Sequence, residues 1–100
     1  MIIVEGHVRM ENAYDFDKVR GAAESQIAAS CAEDGCIDYT YAIDVLDPHI
    51  MRVLERWRSW EDLEAHFKAA HMEAWRQALS GVKFVEREIR AHEVSETRTV

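Results

Sequence analysis

This 100-residue chain has few of the features that mark a membrane or secreted protein. Its apolar runs are far shorter than the stretch of about 20 residues that crosses a bilayer. The first residues, MIIV, lack the basic segment of a signal peptide and are soon followed by Glu5 and His7. The two cysteines, Cys31 and Cys36, form no CxxC pair. We therefore expect a cytoplasmic protein with reduced thiols.

Fingerprints of common cofactors are missing as well. The chain has no GxGxxG for a nicotinamide or flavin and no GxSxG for a nucleophilic serine. His66 and His71 stand five residues apart, whereas histidines that bind one metal from a single helix face are three or four residues apart. We therefore expect neither a metal nor an organic cofactor.

Acidic residues outnumber basic ones. The chain has 19 Asp and Glu against 12 Lys and Arg, a net charge of −7, and an acidic chain repels the phosphates of nucleic acids. A hydrophobic share of 48% with 31% charged residues is typical of a globular domain. Because there is one proline and no low-complexity linker, we expect a single domain over residues 1–100, with 95–100 as a flexible tail.

Hydrophobic periodicity predicts a strand, a helix and a second strand in the first half. Apolar residues alternate over 2–10, where Gly6 is expected to mark a bulge or a close approach. A helical stripe follows, with Asn12 as its N-cap and Gly35 as its stop. Alternation over 37–45 predicts the second strand.

The second half begins with a turn at 47–49 and a third strand over 50–57, antiparallel to the second because the connection is short. Ser59 then opens a helix, and Asp62 stands three residues later in a capping-box pattern. A break is expected near 69–70, where the apolar spacing weakens. The apolar stripe of this helical region consists of Trp60, Leu63, Phe67, Ala70, Ala74 and Ala78.

Gly81 ends the helical region, and residues 82–94 predict a last strand. The order β-α-β-β-α-β predicts a ferredoxin-like α+β fold, a four-stranded antiparallel sheet with both helices on one face. The other face is expected to be bare and partly apolar, with Tyr39, Tyr41 and Leu54 among its candidates. Such a face predicts a partner, most simply an identical chain.

Several motifs are similar to one known family. They are Glu55-x-Trp57 followed by Ser59, Leu63, His66 and His71, and the segment Asp34-Gly35-Cys36-Ile37-x-Tyr39. With the topology, they resemble the antibiotic biosynthesis monooxygenase (ABM) family of the dimeric α+β barrel superfamily, from residue 2 to about residue 94. Haem-degrading relatives have an asparagine on the first strand, where this chain has Glu5-Gly6-His7, so the likeness does not extend to haem degradation.

The resemblance implies a homodimer with a cavity in each protomer between sheet and helices. It also implies a cofactor-independent monooxygenase that oxidises a small electron-rich aromatic, a quinol or phenol, with dioxygen. The alternative is a binding or stress-response domain of the same fold, which holds a small hydrophobic molecule without chemistry. A fold alone does not decide between them.

Three titratable residues are candidates for catalysis. Glu55 shares an apolar strand face with Trp57, and burial would raise its pKa and make it a usable base. His66 is expected to hydrogen-bond near Glu55, and His71, inside the apolar stripe, is expected to line the cavity. Each also has a structural interpretation, as an ion pair or a hydrogen-bonded core histidine.

Aromatic side chains are the candidates for binding a ring-shaped ligand. The tryptophans and the phenylalanine could stack on a planar ring, and the tyrosines could donate hydrogen bonds to a carbonyl. A hydrophobic core or a dimer interface explains the same residues equally well. They are Tyr39, Tyr41, Trp57, Trp60, Phe67 and Trp75.

Overall fold

The structure, a computed structural model, describes residues 1–100 as four strands and three helices. The elements are β1 (Ile2–Met10), α1 (Phe16–Cys31), β2 (Cys36–Ile43), β3 (Ile50–Trp57), α2 (Trp60–Phe67), α3 (Ala70–Leu79) and β4 (Phe84–Glu93). The strands form one antiparallel sheet in the order β2-β3-β1-β4. The predicted ferredoxin-like α+β fold is confirmed. No helix is both long and apolar enough to cross a membrane.

Alternation of side chains along the central strands places the core on the helix side of the sheet. Successive residues of a strand point to opposite faces, and Val4, Val8 and Val53 are buried beneath the helices. The buried apolar residues form two clusters, one around Trp75 and the other around Trp57. The cavity described below lies against this face.

Gly6 has the close approach that its place in β1 predicted. Its φ is +150°, and a Cβ at this position would overlap the backbone carbonyl oxygen of Glu88 in β4. Only glycine adopts this conformation and leaves room for the neighbouring strand. Gly6 therefore permits the close pairing of β1 with β4.

The predicted ends of the first helix are wrong. α1 begins at Phe16 because residues 12–15 form a turn, in which the Asp15 N–H donates to the carbonyl of Asn12. The Asn12 amide donates to the Asp15 carboxylate instead of capping the helix. α1 ends at Cys31, and Gly35 instead provides a φ of +84° at the entry to β2.

The second helical region breaks where the sequence predicted. α2 ends at Phe67 and α3 begins at Ala70. The predicted cap is also confirmed, since the Ser59 hydroxyl accepts a hydrogen bond from the Asp62 N–H at 3.2 Å. The break changes the direction of the chain, so α2 and α3 present different faces to the core.

The predicted apolar stripe of this region is wrong except at Leu63. Trp60 and Phe67 are 40% and 52% exposed, and the buried side chains are Leu63 and His66 in α2 and Trp75 in α3. Within α2 the buried face consists of positions 63 and 66 and not of 60, 63 and 67, and the break then removes a common helical phase with α3. His66 is therefore a buried residue, not one at the border of an apolar face.

The face of the sheet away from the helices is charged and not predominantly apolar. Leu54 is exposed there, as expected, but it lies in a shallow groove with ionisable neighbours. Tyr39 and Tyr41 lie on the other side, under the helices. The ionisable residues of the groove are Glu5, His7, Arg52, Glu88 and Arg90.

Candidate functional site

A cavity of about 490 Å³ lies between the helix side of the sheet and the α2–α3 region. Most of the side chains around it are hydrophobic, as in typical small-molecule sites. Six of the nine predicted site residues line this cavity. They are Tyr39, Tyr41, Glu55, His66, Phe67 and Trp75.

The other three predicted site residues do not line the cavity. Trp57 is completely buried at the end of β3, and Trp60 is a partly exposed residue in the first turn of α2. His71 lies behind His66, with their ring centres 5.6 Å apart. The predicted positions of the two histidines are therefore exchanged, because the buried face of α2 includes His66 and α3 starts a new helical phase at Ala70.

Glu55 is a buried carboxyl group at the wall of the cavity. Its Oε1 accepts a hydrogen bond from the indole N–H of Trp57 at 2.9 Å, and its side chain has no basic residue as a partner. Burial raises the pKa of Glu55 to about 7, against the lowering effect of the Trp57 hydrogen bond, and the negative charge of Glu33 raises it further. Glu55 can therefore exchange a proton near neutral pH.

The hydrogen bond expected between His66 and Glu55 is not formed. The Nδ1 of His66 instead lies 2.5 Å from Oε2 of Glu33, in the loop after α1. Because a carboxylate oxygen accepts, this contact places a proton on Nδ1 and leaves the lone pair of a neutral imidazole on Nε2. Burial lowers the pKa of His66, against the opposing hydrogen bond and charge of Glu33, which favours the neutral ring.

His71 holds Glu33 from the other side. Its Nε2 lies 3.0 Å from the same Glu33 oxygen, and its Nδ1 lies 2.8 Å from Oε1 of Gln26. The Gln26 amide nitrogen contacts the Tyr39 hydroxyl, so its oxygen faces the histidine. Both nitrogens of His71 thus face side-chain oxygen atoms. Gln26, His71 and Glu33 together hold the His66 ring in one orientation.

Two tyrosines extend this network along the cavity wall. The hydroxyl oxygens of Tyr39 and Tyr41 are 2.7 Å apart, and Tyr41 stacks on Trp75 with ring centres 5.5 Å apart. Burial raises the pKa of both phenols, so each remains a protonated hydrogen-bond donor at neutral pH. The site combines a proton acceptor, phenol donors and a flat aromatic wall.

Sequence reasoning missed Glu33 and Gln26. Glu33 lies 33 residues from His66 along the chain, and Glu33-Asp34 had only the appearance of an exposed charged loop. Gln26 lies on the buried face of α1 with Val19, Ala23 and Ser30, and its spacing of three residues from Ala23 and seven from Val19 was the signal available in the sequence.

Glu33, His66 and His71 are also of the types that bind metal ions, and one ligand atom from each lies within 4.8 Å of the others. A spacing of five residues separates two histidines only on one continuous helix, whereas His66 lies in α2 and His71 in α3. However, two ligands at about 2.1 Å from one ion lie roughly 3 Å or more apart. The 2.5 Å between His66 and Glu33 is the distance of a short hydrogen bond. The cluster as it stands is a hydrogen-bonded one.

A family model described as antibiotic biosynthesis monooxygenase (ABM) matches residues 1–78 of this chain. A comparison with curated proteins found no match. The matched residues include β1 to α3 and therefore contain Glu33, Glu55 and both histidines of the cluster.

Solved structures share the fold. A candidate antibiotic biosynthesis monooxygenase from Deinococcus radiodurans is 21% identical with a TM-score of 0.86, covering 100% of this chain and 98% of its own. Another from Nitrosomonas europaea is 16% identical with a TM-score of 0.83, covering 96% and 100%. A conserved protein from Methanosarcina mazei is 24% identical with a TM-score of 0.81, covering 91% and 89%. At these identities the likeness shows the fold alone.

Proposed function

This chain belongs to the antibiotic biosynthesis monooxygenase family, and on that premise we propose that it is a cofactor-independent monooxygenase that oxidises a small electron-rich aromatic, a quinol or phenol, with dioxygen. The observation that carries the proposal is Glu55, a buried carboxyl with a pKa of about 7 in the wall of an aromatic-lined cavity. A base of this strength is suited to taking a proton from a phenol near neutral pH.

Glu55 is the proposed base, and His66 is a proposed second proton carrier. Glu33 keeps the proton on Nδ1 of His66, so Nε2 can accept a hydrogen bond from a ligand hydroxyl. His71 and Gln26 do not line the cavity, and they act as positioning residues through Glu33 and Tyr39.

The aromatic residues are proposed to orient the ring. Tyr41 and Trp75 form a stacked pair against which a planar ligand can lie, and Phe67 lines the same cavity. The phenol of Tyr39 or Tyr41 can donate a hydrogen bond to a developing quinone oxygen. The apolar lining excludes water and so protects the anion from reprotonation by solvent.

The reaction balances without an external reductant. A quinol and one dioxygen give a hydroxyquinone and one water: one oxygen atom forms a new C–O bond, and the other leaves as water. The four electrons that reduce dioxygen come from the substrate. Glu55 takes the first phenol proton, and the resulting electron-rich anion transfers electrons to dioxygen. Proximity and a dry pocket are the contributions of the protein.

The same proposal includes the absence of a bound cofactor and a homodimeric assembly. Purified protein is expected to be colourless, with no stoichiometric metal, haem or flavin. The support for the dimer is the family membership and the open face of the sheet, which carries both charge signs.

Oxygen labelling tests the function. The protein is incubated with a panel of quinols and phenols under labelled dioxygen, and the product is analysed by mass spectrometry. The expected result is one labelled oxygen atom in the product, with no added flavin or metal. A panel in which no member consumes oxygen above its protein-free rate would contradict the proposal and favour a binding domain.

A further inference from the structure

Arg87 is the only one of the nine arginines without a carboxylate within ion-pair distance. Acidic residues outnumber basic ones by 19 to 12, so an arginine without a partner is unexpected in this chain. Its neighbours in sequence, Glu86 and Glu88, cannot serve it. In β4 they point to the open face of the sheet, where Glu86 lies 3.4 Å from His7 and Glu88 forms an ion pair with Arg90.

Arg87 points instead to the helix side and lines the cavity. In the sheet it lies opposite Val8, which is buried beneath the helices. Its guanidinium is exposed, so it stands at the open end of the cavity. Arg76 of α3 lines the same cavity and donates to the carbonyl oxygen of Phe67 at 3.2 Å. Arg76 also forms an ion pair with Glu73 at 3.4 Å, so the positive charge without a carboxylate partner at the mouth is that of Arg87.

The strand register gives the distance from Arg87 to the proposed base. Glu55 lies opposite Val4, and Arg87 opposite Val8, so the two are four residues apart along the sheet and two strands apart across it. With a rise of about 3.4 Å per residue and a strand spacing of about 4.8 Å, the two backbone positions are roughly 17 Å apart. Both side chains line the cavity, and the reach of an extended arginine side chain shortens the separation of the charged ends to on the order of 10 Å.

The surface between these two charges is apolar and has an aromatic border. Between β3 and β4 its middle row consists of Val53, Gly6 and Ile89, and on the β2 side of Val53 the Tyr41 ring is stacked with Trp75 at an interplanar angle of 16°. A guanidinium matches a carboxylate through two parallel hydrogen bonds. An aromatic body of two or three fused rings, with a carboxylate at one end and a hydroxyl at the other, fits both ends and the wall between them.

We propose that the ligands of this site are flat aromatic acids, whose carboxylate pairs with Arg87 and whose reacting hydroxyl lies beside Glu55. This inference rests on the proposed function for the reaction, but not for the binding. Arg87 thereby becomes a specificity-determining residue, which selects anionic from neutral aromatics. It also fixes which end of the ligand enters first.

Binding of a matched pair of unreactive ligands tests the proposal. The probes are a dihydroxyanthraquinone carboxylic acid and its methyl ester, which are already oxidised and differ only in charge. Dissociation constants are measured by calorimetry and by quenching of tryptophan fluorescence. The acid is expected to bind the wild-type protein about tenfold more tightly than the ester, a preference that decreases with added salt.

Variants assign the preference to Arg87. In Arg87→Gln the acid and ester are expected to bind within about twofold of each other, whereas Arg87→Lys keeps part of the preference. Arg98→Gln, in the tail, is the matched control and should bind like the wild type. Arg87 is exposed on an edge strand, so its replacement should leave the thermal melting unchanged.

Equal affinities for acid and ester in the wild type, or an acid preference that persists in Arg87→Gln, would overturn the proposal. Failure of both ligands to bind would overturn it as well. The proposed function fails separately: acid-selective binding without oxygen uptake from the reduced acid contradicts the oxygenase alone. Oxygen uptake without an acid preference contradicts the role of Arg87 alone.

Discussion

The carboxyl groups of this protein ionise according to what surrounds them. The Arg9 guanidinium and the backbone N–H of His49 donate to Asp47 and lower its pKa to about 2. Glu55 has a single neutral donor, Trp57, and burial raises its pKa to about 7. The hydrogen-bond partners and the burial of a carboxyl group together set its pKa. Of these two carboxyl groups, only Glu55 can therefore take up and release a proton near neutral pH.

The raised pKa of Glu55 makes a prediction about stability. The folded protein binds this proton more tightly than the unfolded chain, whose glutamate has a pKa of 4.5. The stabilisation is complete below the unfolded pKa and is lost as pH rises through the folded pKa. From about pH 5 to about pH 8, ionisation of Glu55 should lower the free energy of unfolding of the wild type by on the order of 2–3 kcal/mol.

Glu55→Gln should remove this pH dependence. The glutamine carbonyl can still accept from the Trp57 N–H, so the fold is retained. Urea denaturation of both proteins at the two pH values gives the comparison, in which the other titrating groups cancel. Parallel stability curves for the wild type and the variant would show that Glu55 titrates normally.

Glu33→Gln tests the histidine cluster. The glutamine amide cannot accept from both His66 and His71 with the strength of a carboxylate, so one buried donor loses its partner. The expected loss is about 1–3 kcal/mol in the free energy of unfolding, measured by chemical denaturation. Glu24→Gln, exposed on α1, is the control and should change it by less than about 0.5 kcal/mol. Equal losses in the two variants would contradict the account of the cluster.

At the same scale, the sequence predicts types of residue better than pairs. Glu55 was identified from its alternation with apolar neighbours on one strand, which is a local pattern. Its expected partner His66 instead pairs with Glu33, because the fold brings the end of α1 against α2. No local sequence pattern indicates that these two distant segments are in contact.

At the scale of elements, strands were predicted more closely than helices. β1 and β3 have the predicted limits, since a period of two fixes both the strand and its buried face. Helical phase depends on continuity, so the break between α2 and α3 shifted every residue after it. His71 was placed in the cavity for that reason, although the break itself was foreseen.

Gly6→Ala tests the contact of β1 with β4. A methyl group at this position would overlap the Glu88 carbonyl oxygen, and a φ of +150° is strained for alanine. We expect a loss of at least about 2 kcal/mol in the free energy of unfolding, measured by chemical denaturation. Gly21→Ala, in the exposed middle of α1 with open space around it, should instead stabilise by about 0.5–1 kcal/mol. A neutral Gly6→Ala would contradict the described pairing.

At the scale of the whole molecule, assembly is predicted to depend on charge. The open face of the sheet carries both signs of charge around Leu54, so a dimer formed through it should weaken as salt rises. Light scattering at micromolar concentration is expected to give twice the 11.6 kDa of the chain at low salt. A species of 11.6 kDa under those conditions would rule out a stable dimer.

The central claim is that Glu55 removes the proton that starts oxidation, and the pH dependence of oxygen uptake tests it most directly. Uptake is measured with a quinol that the wild type oxidises, after subtraction of the protein-free rate at each pH. The wild-type rate should rise with pH and level off above about 7, as Glu55 becomes ionised. Glu55→Gln should lower the rate by about 10²-fold and remove that rise. An unchanged rate and pH profile in Glu55→Gln would contradict the account.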